Sequence, residues 1–142
     1  MSKSGQNYDI LSERRNLLSR RILLVEDHDT SRQLLSDYLS FLGYQVFAIA
    51  DGASFFSAVS LFQPELILLD LKIPHIDGYR ILEEIQALPI DRQVPIIVVS
   101  AYAFKSDQQR ALSLGAKKYF VKPINLSQLR EAIQEILGGL TT

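Results

Sequence analysis

Five short apolar runs punctuate the chain, at residues 22–25, 46–50, 66–69, 96–99 and 119–121, and amphipathic stretches fill the intervals. Three of the runs are nearly continuous in Ile, Leu and Val, as expected of strands covered on both faces of a parallel sheet. Leu34, Leu35, Tyr38, Leu39 and Leu42 recur at helical spacing, with Gly43 as a stop signal. Phe55, Val59 and Phe62 do the same ahead of Pro64, and Ile81, Leu82, Ile85 and Leu88 form a third stripe that Asp77 can N-cap. Ser106 is placed to cap a helix ending at Gly115. Asn125 is placed to cap the last, with Leu126, Leu129, Ile133 and Ile136 inward and Gly138 and Gly139 beyond.

Strands alternating with helices predict a doubly wound α/β fold, a five-stranded parallel sheet with right-handed crossovers and five helices on its two faces. The expected organisation is an N-terminal extension at 1–20, one folded domain at 21–138 and a short tail at 139–142. In such folds the ligand site lies beyond the carboxyl ends of the strands.

Composition narrows the function more than the fold. The chain has 142 residues, 47% of them hydrophobic, enough for one domain with its own core. A net charge of −1 offers no basic stripe for nucleic acid. There is no cysteine, which removes disulfides, thiolate metal sites and thiol nucleophiles and fits a cytoplasmic setting. The start of the chain lacks the apolar segment of a signal peptide, and no apolar run is long enough for a membrane span.

The chemistry gathers at the predicted strand ends. Strand one runs into Glu26 and Asp27, strand three into Asp70, strand four into Ser100, and strand five into Lys122 and Pro123. Three carboxylates brought together repel one another, a cost that commonly signals a bound cation. An all-oxygen set without His or Cys suits Mg²⁺, or Mn²⁺, over zinc.

The residues Glu26-Asp27, the segment from Asp70 through Lys72, Ile73 and Pro74 to Asp77-Gly78, then Ser100-Ala101, Tyr119 and Lys122-Pro123, resemble in order and spacing the receiver domains of two-component response regulators. The resemblance runs from Arg20 to about Leu137. It implies the flavodoxin-like receiver fold with strand order 2-1-3-4-5. It further implies that Asp70 is the phosphoacceptor and that Ser100 and Lys122 contact the phosphoryl group. Glu26, Asp27, Asp70 and the backbone carbonyl of Lys72 would hold the metal. Ser100 and Tyr119 would form the switch. The implied donor is a sensor histidine kinase or histidine phosphotransfer protein. The implied output is protein binding at the face of helix four, strand five and helix five, with no direct nucleic-acid contact. The family's usual Met is Ile73 here, a conservative change.

On this reading the protein is no conventional enzyme. It catalyses only its own phosphorylation and dephosphorylation. Because only Gly138 to Thr142 follow Leu137 and the chain begins at Met1, a stand-alone regulator is expected. A receiver module of a hybrid kinase or larger regulator is the alternative. A Mg²⁺-dependent aspartyl-phosphate phosphohydrolase is disfavoured, because dehalogenase-like enzymes carry a second Asp where Lys72 stands and usually need a cap domain. A receiver-shaped scaffold that is never phosphorylated is disfavoured by the intact set of strand-end residues.

Several residues receive plainer readings. His28 and His75 are expected in exposed loops, Asp29 at the cap of the first helix, and Arg14, Arg15, Arg20 and Arg21 in a solvated charge run. Ile10, Leu11, Leu17 and Leu18 would suit a short amphipathic helix. The resemblance also implies that Lys72 and Tyr102, two residues beyond Asp70 and Ser100, flank the path of an attacking water.

Overall fold

The computed structural model describes residues 20–138. The sequence expectations for Ile10, Leu11, Arg14, Arg15, Leu17 and Leu18 lie outside these residues. Five strands, β1 (Arg21–Val25), β2 (Gln45–Ile49), β3 (Leu66–Leu69), β4 (Ile96–Ser100) and β5 (Lys118–Val121), alternate with five helices. These are α1 (Asp29–Phe41), α2 (Phe55–Phe62), α3 (Gly78–Gln86), α4 (Lys105–Ser113) and α5 (Leu126–Leu137). All pairings in the sheet are parallel, in the order β2-β1-β3-β4-β5. A two-residue antiparallel pair, Lys72–Ile73 with Ile76–Asp77, lies between β3 and α3.

The hydrophobic pattern explains the layers. Successive strand residues point to opposite faces. On one face Leu23, Val25, Ile67, Leu69, Ile96 and Val98 pack against Phe55, Ala58, Ile81, Leu82, Ile85 and Ala111 of α2, α3 and α4. On the other, Ile22, Leu24, Leu66, Leu68, Ile97 and Val99 meet Leu35, Leu39, Leu129, Ala132 and Ile133 of α1 and α5. The central strand β3 is buried throughout, so its sequence is a continuous run, LILL. β2 lies at the sheet edge and alternates in exposure instead.

Helix starts show where local signals hold. Asp77 caps α3 by accepting from the Tyr79 N–H at 3.0 Å, and Asn125 caps α5 by accepting from Gln128 at 3.0 Å. Ser106 does not cap α4. That helix begins at Lys105, and the Phe104 carbonyl accepts from both Asp107 and Gln108. This places Ser106 and Asp107 inside the first turn, where the Asp107 charge suits the helix dipole. Asp29 does not cap α1 either: His28 holds that position, while Asp29 sits in the first turn and pairs with Arg32 at 2.6 Å. Leu34 is exposed, because the inward stripe of α1 runs through Leu35 and Leu39. Leu88 is also exposed, since α3 ends at Gln86. No described helix is long and apolar enough to cross a membrane.

Candidate functional site

The strand register brings four of the sequence-predicted side chains to one point. β1 runs into Glu26, whose N–H donates to the Ile49 carbonyl of β2. β3 runs into Asp70, whose N–H donates to the Val25 carbonyl of β1. β4 ends at Ser100, whose carbonyl accepts from the Lys122 N–H just past β5. Each last apolar residue is locked in the sheet, so the polar residue after it emerges at the carboxyl edge in a fixed direction.

There the Lys122 ammonium donates to Glu26 Oε1 at 2.5 Å and to Asp70 Oδ2 at 3.0 Å. Glu26, Asp70 and Ser100 are buried, whereas Asp27 is exposed. The remaining carboxylate oxygens are held by backbone. Glu26 Oε2 accepts from the His28 N–H and Asp70 Oδ1 accepts from the Lys72 N–H. Arg32 ties down the acidic loop by donating to the carbonyls of Glu26 and Asp27. Ser100 Oγ accepts from the Tyr102 N–H at 3.1 Å, and the Tyr102 carbonyl accepts from the Tyr119 hydroxyl at 2.8 Å.

These residues open onto a cleft of about 390 Å³ lined by Glu26, Asp27, Asp70, Ser100 and Lys122, with Lys72 and Tyr102 on its wall. His28 and Ser31 also line it. His28 is therefore more than a solvated loop residue, since its Nδ1 accepts from the Ser31 N–H at the start of α1. His75 is exposed as expected, with its ring 4.0 Å from Asp51. Arg20 and Arg21 are not simply solvated, because both pair with Glu65.

The electrostatics are those of an acidic pocket with too little positive charge. Burial pushes the Glu26 carboxyl above its usual range. Hydrogen bonds from Lys122 and the His28 N–H work against burial, and the Asp70 charge adds to it. Burial alone would lower Lys122, but its hydrogen bonds to Glu26 and Asp70 prevail and hold the ammonium above its usual value. Three carboxylates, Glu26, Asp27 and Asp70, present oxygens within 4.8 Å of one another. The Lys122 ammonium is hydrogen-bonded to two of them. Such an all-oxygen, over-acidic cluster fits a small divalent cation of the Mg²⁺ type.

Glycine makes part of this geometry possible. A Cβ on Gly78 would lie 2.6 Å from the Leu71 Cα and 2.7 Å from its carbonyl oxygen. Only a residue without one lets α3 start against the backbone that follows Asp70. The sequence reading included Gly78 as part of the Asp77-Gly78 motif and missed this close approach. It also missed Arg32, whose two contacts to the acidic loop have no local signature.

Comparison with known proteins places this geometry. The family model described as response regulator receiver domain matches residues 22–134. The chain is 34% identical over 121 residues to sporulation initiation phosphotransferase F of Bacillus subtilis (strain 168), covering 85% of this chain and 96% of that protein. It is 36% identical over 117 residues to a probable transcriptional regulator, ycf27, of Porphyridium aerugineum, covering 82% of this chain but 48% of that longer protein. Among solved structures, the receiver domain of the sensor histidine kinase PA1611 from Pseudomonas aeruginosa PAO1 superposes with a TM-score of 0.75 at 33% identity, covering 85% of this chain and 99% of that one. That structure carries a magnesium ion coordinated in its active site cleft.

Proposed function

The chain belongs to the response regulator receiver domains, and from that premise we propose that Asp70 accepts a phosphoryl group from a partner's phosphohistidine and that a binding protein reads the result. The observation that carries this reading is the buried Asp70 carboxylate, held 3.0 Å from the Lys122 ammonium inside a three-carboxylate cluster. A structural ion pair needs neither the extra carboxylates nor an open cleft in front of it.

In the proposed reaction an Asp70 oxygen attacks phosphorus in line. The phosphorus–nitrogen bond of the donor breaks, and its electron pair leaves with the imidazole. Lys122 neutralises the phosphoryl oxygens and Ser100 donates its hydroxyl to one of them, groups placed before the reaction begins. Hydrolysis resets the site: water attacks phosphorus, the acyl phosphorus–oxygen bond breaks, and the Asp70 carboxylate returns with release of inorganic phosphate. The protein is thus a phosphoacceptor that catalyses transfer to and from itself.

Glu26, Asp27, Asp70 and the Lys72 carbonyl would hold a Mg²⁺ ion, with Mn²⁺ as a substitute. The magnesium in the cleft of the PA1611 receiver supports this choice. When bound, such an ion supplies charge neutralisation for the incoming phosphoryl group.

A shift of Ser100 toward a phosphoryl group would strain the bond it accepts from the Tyr102 N–H. The same shift would carry the Tyr102 carbonyl away from the Tyr119 hydroxyl and allow Tyr119 to repack. Burial raises the Tyr119 phenol; the Ser100 hydroxyl works against burial, and the Asp107 and Asp70 charges add to it. The phenol is therefore a neutral donor at physiological pH. The output face would comprise α4, β5 and α5. A sensor histidine kinase or phosphotransfer protein is the proposed donor, the cytoplasm the proposed location, and residues 21–138 the proposed functional unit between a 1–20 extension and a 139–142 tail. A receiver module within a longer regulator is the second reading, favoured by the relative of which this chain spans 48%.

Nuclear magnetic resonance during phosphorylation by a small phosphodonor tests the output face. Shifts should reach Lys105 to Ala111 and Tyr119. Shifts confined to the loops after β1 and β3 contradict the proposal.

A further inference from the structure

The helix α4 is held in place by unusually little apolar contact. Only Ala111 among its residues is buried, while Leu112 and the preceding Phe104 are exposed. Its position therefore depends on polar contacts, and the structure shows a specific set. The Tyr79 hydroxyl of α3 donates to Asp107 Oδ1 in the first turn of α4 at 3.1 Å. The Arg110 guanidinium lies 3.8 Å above the centre of the same ring. Asp107 and Arg110 are three residues apart and share one helix face, so they clasp Tyr79 from two sides. Burial, then the Asp107 hydrogen bond and charge, push the Tyr79 phenol up to about 12, so it stays a donor. At the other end of α4, Gly115 at φ +106° lies so close to Gln86 of α3 that a Cβ would overlap its Oε1.

This clasp is connected to the cleft at both ends. Tyr79 directly follows Gly78, the residue seated on the Leu71 backbone beyond Asp70. Asp107 donates its N–H to Phe104 at the end of the 101–104 loop that begins at Ser100. The Asp107 charge also acts on the Tyr119 phenol. A movement of Ser100 toward Asp70 therefore pulls on a helix start that Tyr79 anchors.

We propose that Tyr79 and Asp107 form a latch that holds the start of α4 against α3 and sets how readily the Ser100 loop moves toward a phosphoryl group on Asp70. The inference rests on the phosphoacceptor reading above and adds a regulatory element to it. Tyr79 acts as a positioning residue, since it does not reach the cleft. Opening the latch raises the population of the conformation that phosphorylation needs, and the same donor then reacts faster.

Tyr79→Phe tests this with little risk to the fold, because the ring and its stacking under Arg110 remain. Two readouts are taken: amide hydrogen exchange of residues 105–113 in the unphosphorylated protein, and the rate of phosphoryl uptake from a small phosphodonor with Mg²⁺, followed by intact mass. The latch predicts weaker protection of α4 and uptake about fivefold faster. Asp107→Ala should match it, and Asp107→Asn, which keeps an acceptor oxygen, should restore most of the wild-type rate. The double variant Tyr79→Phe, Asp107→Ala should be no faster than either single one. Unchanged exchange, or changed exchange with an unchanged or slower uptake rate, overturns the latch and leaves the phosphoacceptor reading standing. Failure of the wild-type protein itself to take up phosphoryl overturns that reading and the latch with it.

Discussion

The two edges of the sheet carry the same kind of interaction in opposite settings. At the amino edge Arg20 and Arg21, at the start of β1, pair with Glu65, just before β3, at 2.9 and 3.7 Å. At the carboxyl edge Lys122 pairs with Glu26 and Asp70 at 2.5 and 3.0 Å. The Glu65 side chain is 29% exposed and its arginines about 40%, whereas Glu26 is 2% exposed and Asp70 8%. Solvent screens the first set, and exposed pairs of this kind are worth about 0–1 kcal/mol. The carboxylates of the second set are largely shielded from water, with Lys122 22% exposed at the cleft, and burying charge costs several kcal/mol per ion before pairing offsets it. A fold optimised for stability alone has no reason to accept that cost at the carboxyl edge. It also leaves Asp27 and an open cleft beside the pair. The difference is what the phosphoacceptor proposal would produce, with charge held out of water where a reaction is proposed.

The comparison breaks most visibly at the metal. Asp27→Ala should abolish detectable Mg²⁺ binding in a calorimetric titration, and Mg²⁺-dependent phosphoryl uptake with it, while Glu65→Ala binds as wild type does. Equal affinity in the Asp27 variant would place the ligands elsewhere.

A smaller effect concerns the lifetime of the phosphorylated state. Lys72 and Tyr102 stand on the cleft wall, and the proposal is that they hinder an in-line water. Replacing both with Ala should shorten the phosphorylated lifetime several-fold, on the order of 1 kcal/mol in the barrier. A lifetime that stays the same or lengthens rules out shielding by these two side chains.

The smallest effect sharpens the contrast between the edges. Glu26 has its carboxyl raised in the folded state, so its ionisation works against folding. Stability gained from this group is full below the unfolded-state value near 4.5 and is lost as pH rises through the higher folded value. Glu26→Gln should therefore be at least as stable as wild type at pH 7 in urea unfolding, with the difference fading toward pH 4. Glu65→Gln should cost no more than about 1 kcal/mol. Marked destabilisation of Glu26→Gln at pH 7 would show that the buried pair is structural after all.

How much of this was legible in the sequence follows from how local each cause is. Residues 66–69 read as a strand because both faces of β3 are covered, and burial on both sides leaves a continuous apolar run. The caps at Asp77 and Asn125 were legible because each acts on an N–H within three residues. Ser106 misled for the same reason, since a capping residue type was present but α4 starts one residue earlier. Glu26, Asp27, Asp70, Ser100 and Lys122 were legible as a group because strand ends in a parallel sheet converge. The reach of Lys122 to Asp70 was legible from its long stem, but the sequence showed no sign that Lys122 also holds Glu26 or that Tyr79 of α3 reaches Asp107 of α4. Those contacts join residues distant in the chain and depend on how the helices settle on the sheet. Leu34 and Leu88 show the opposite limit, apolar residues at helical spacing that the fold leaves exposed.

The central claim is that Asp70 is the atom-level acceptor of the signal. The most direct measurement is intact mass after incubation with a small phosphodonor and Mg²⁺, for wild type, Glu65→Gln and Asp70→Asn side by side. The account predicts one added phosphoryl group in the first two and none in the third. An Asp70→Asn protein that gains a phosphoryl group as readily as wild type would contradict it.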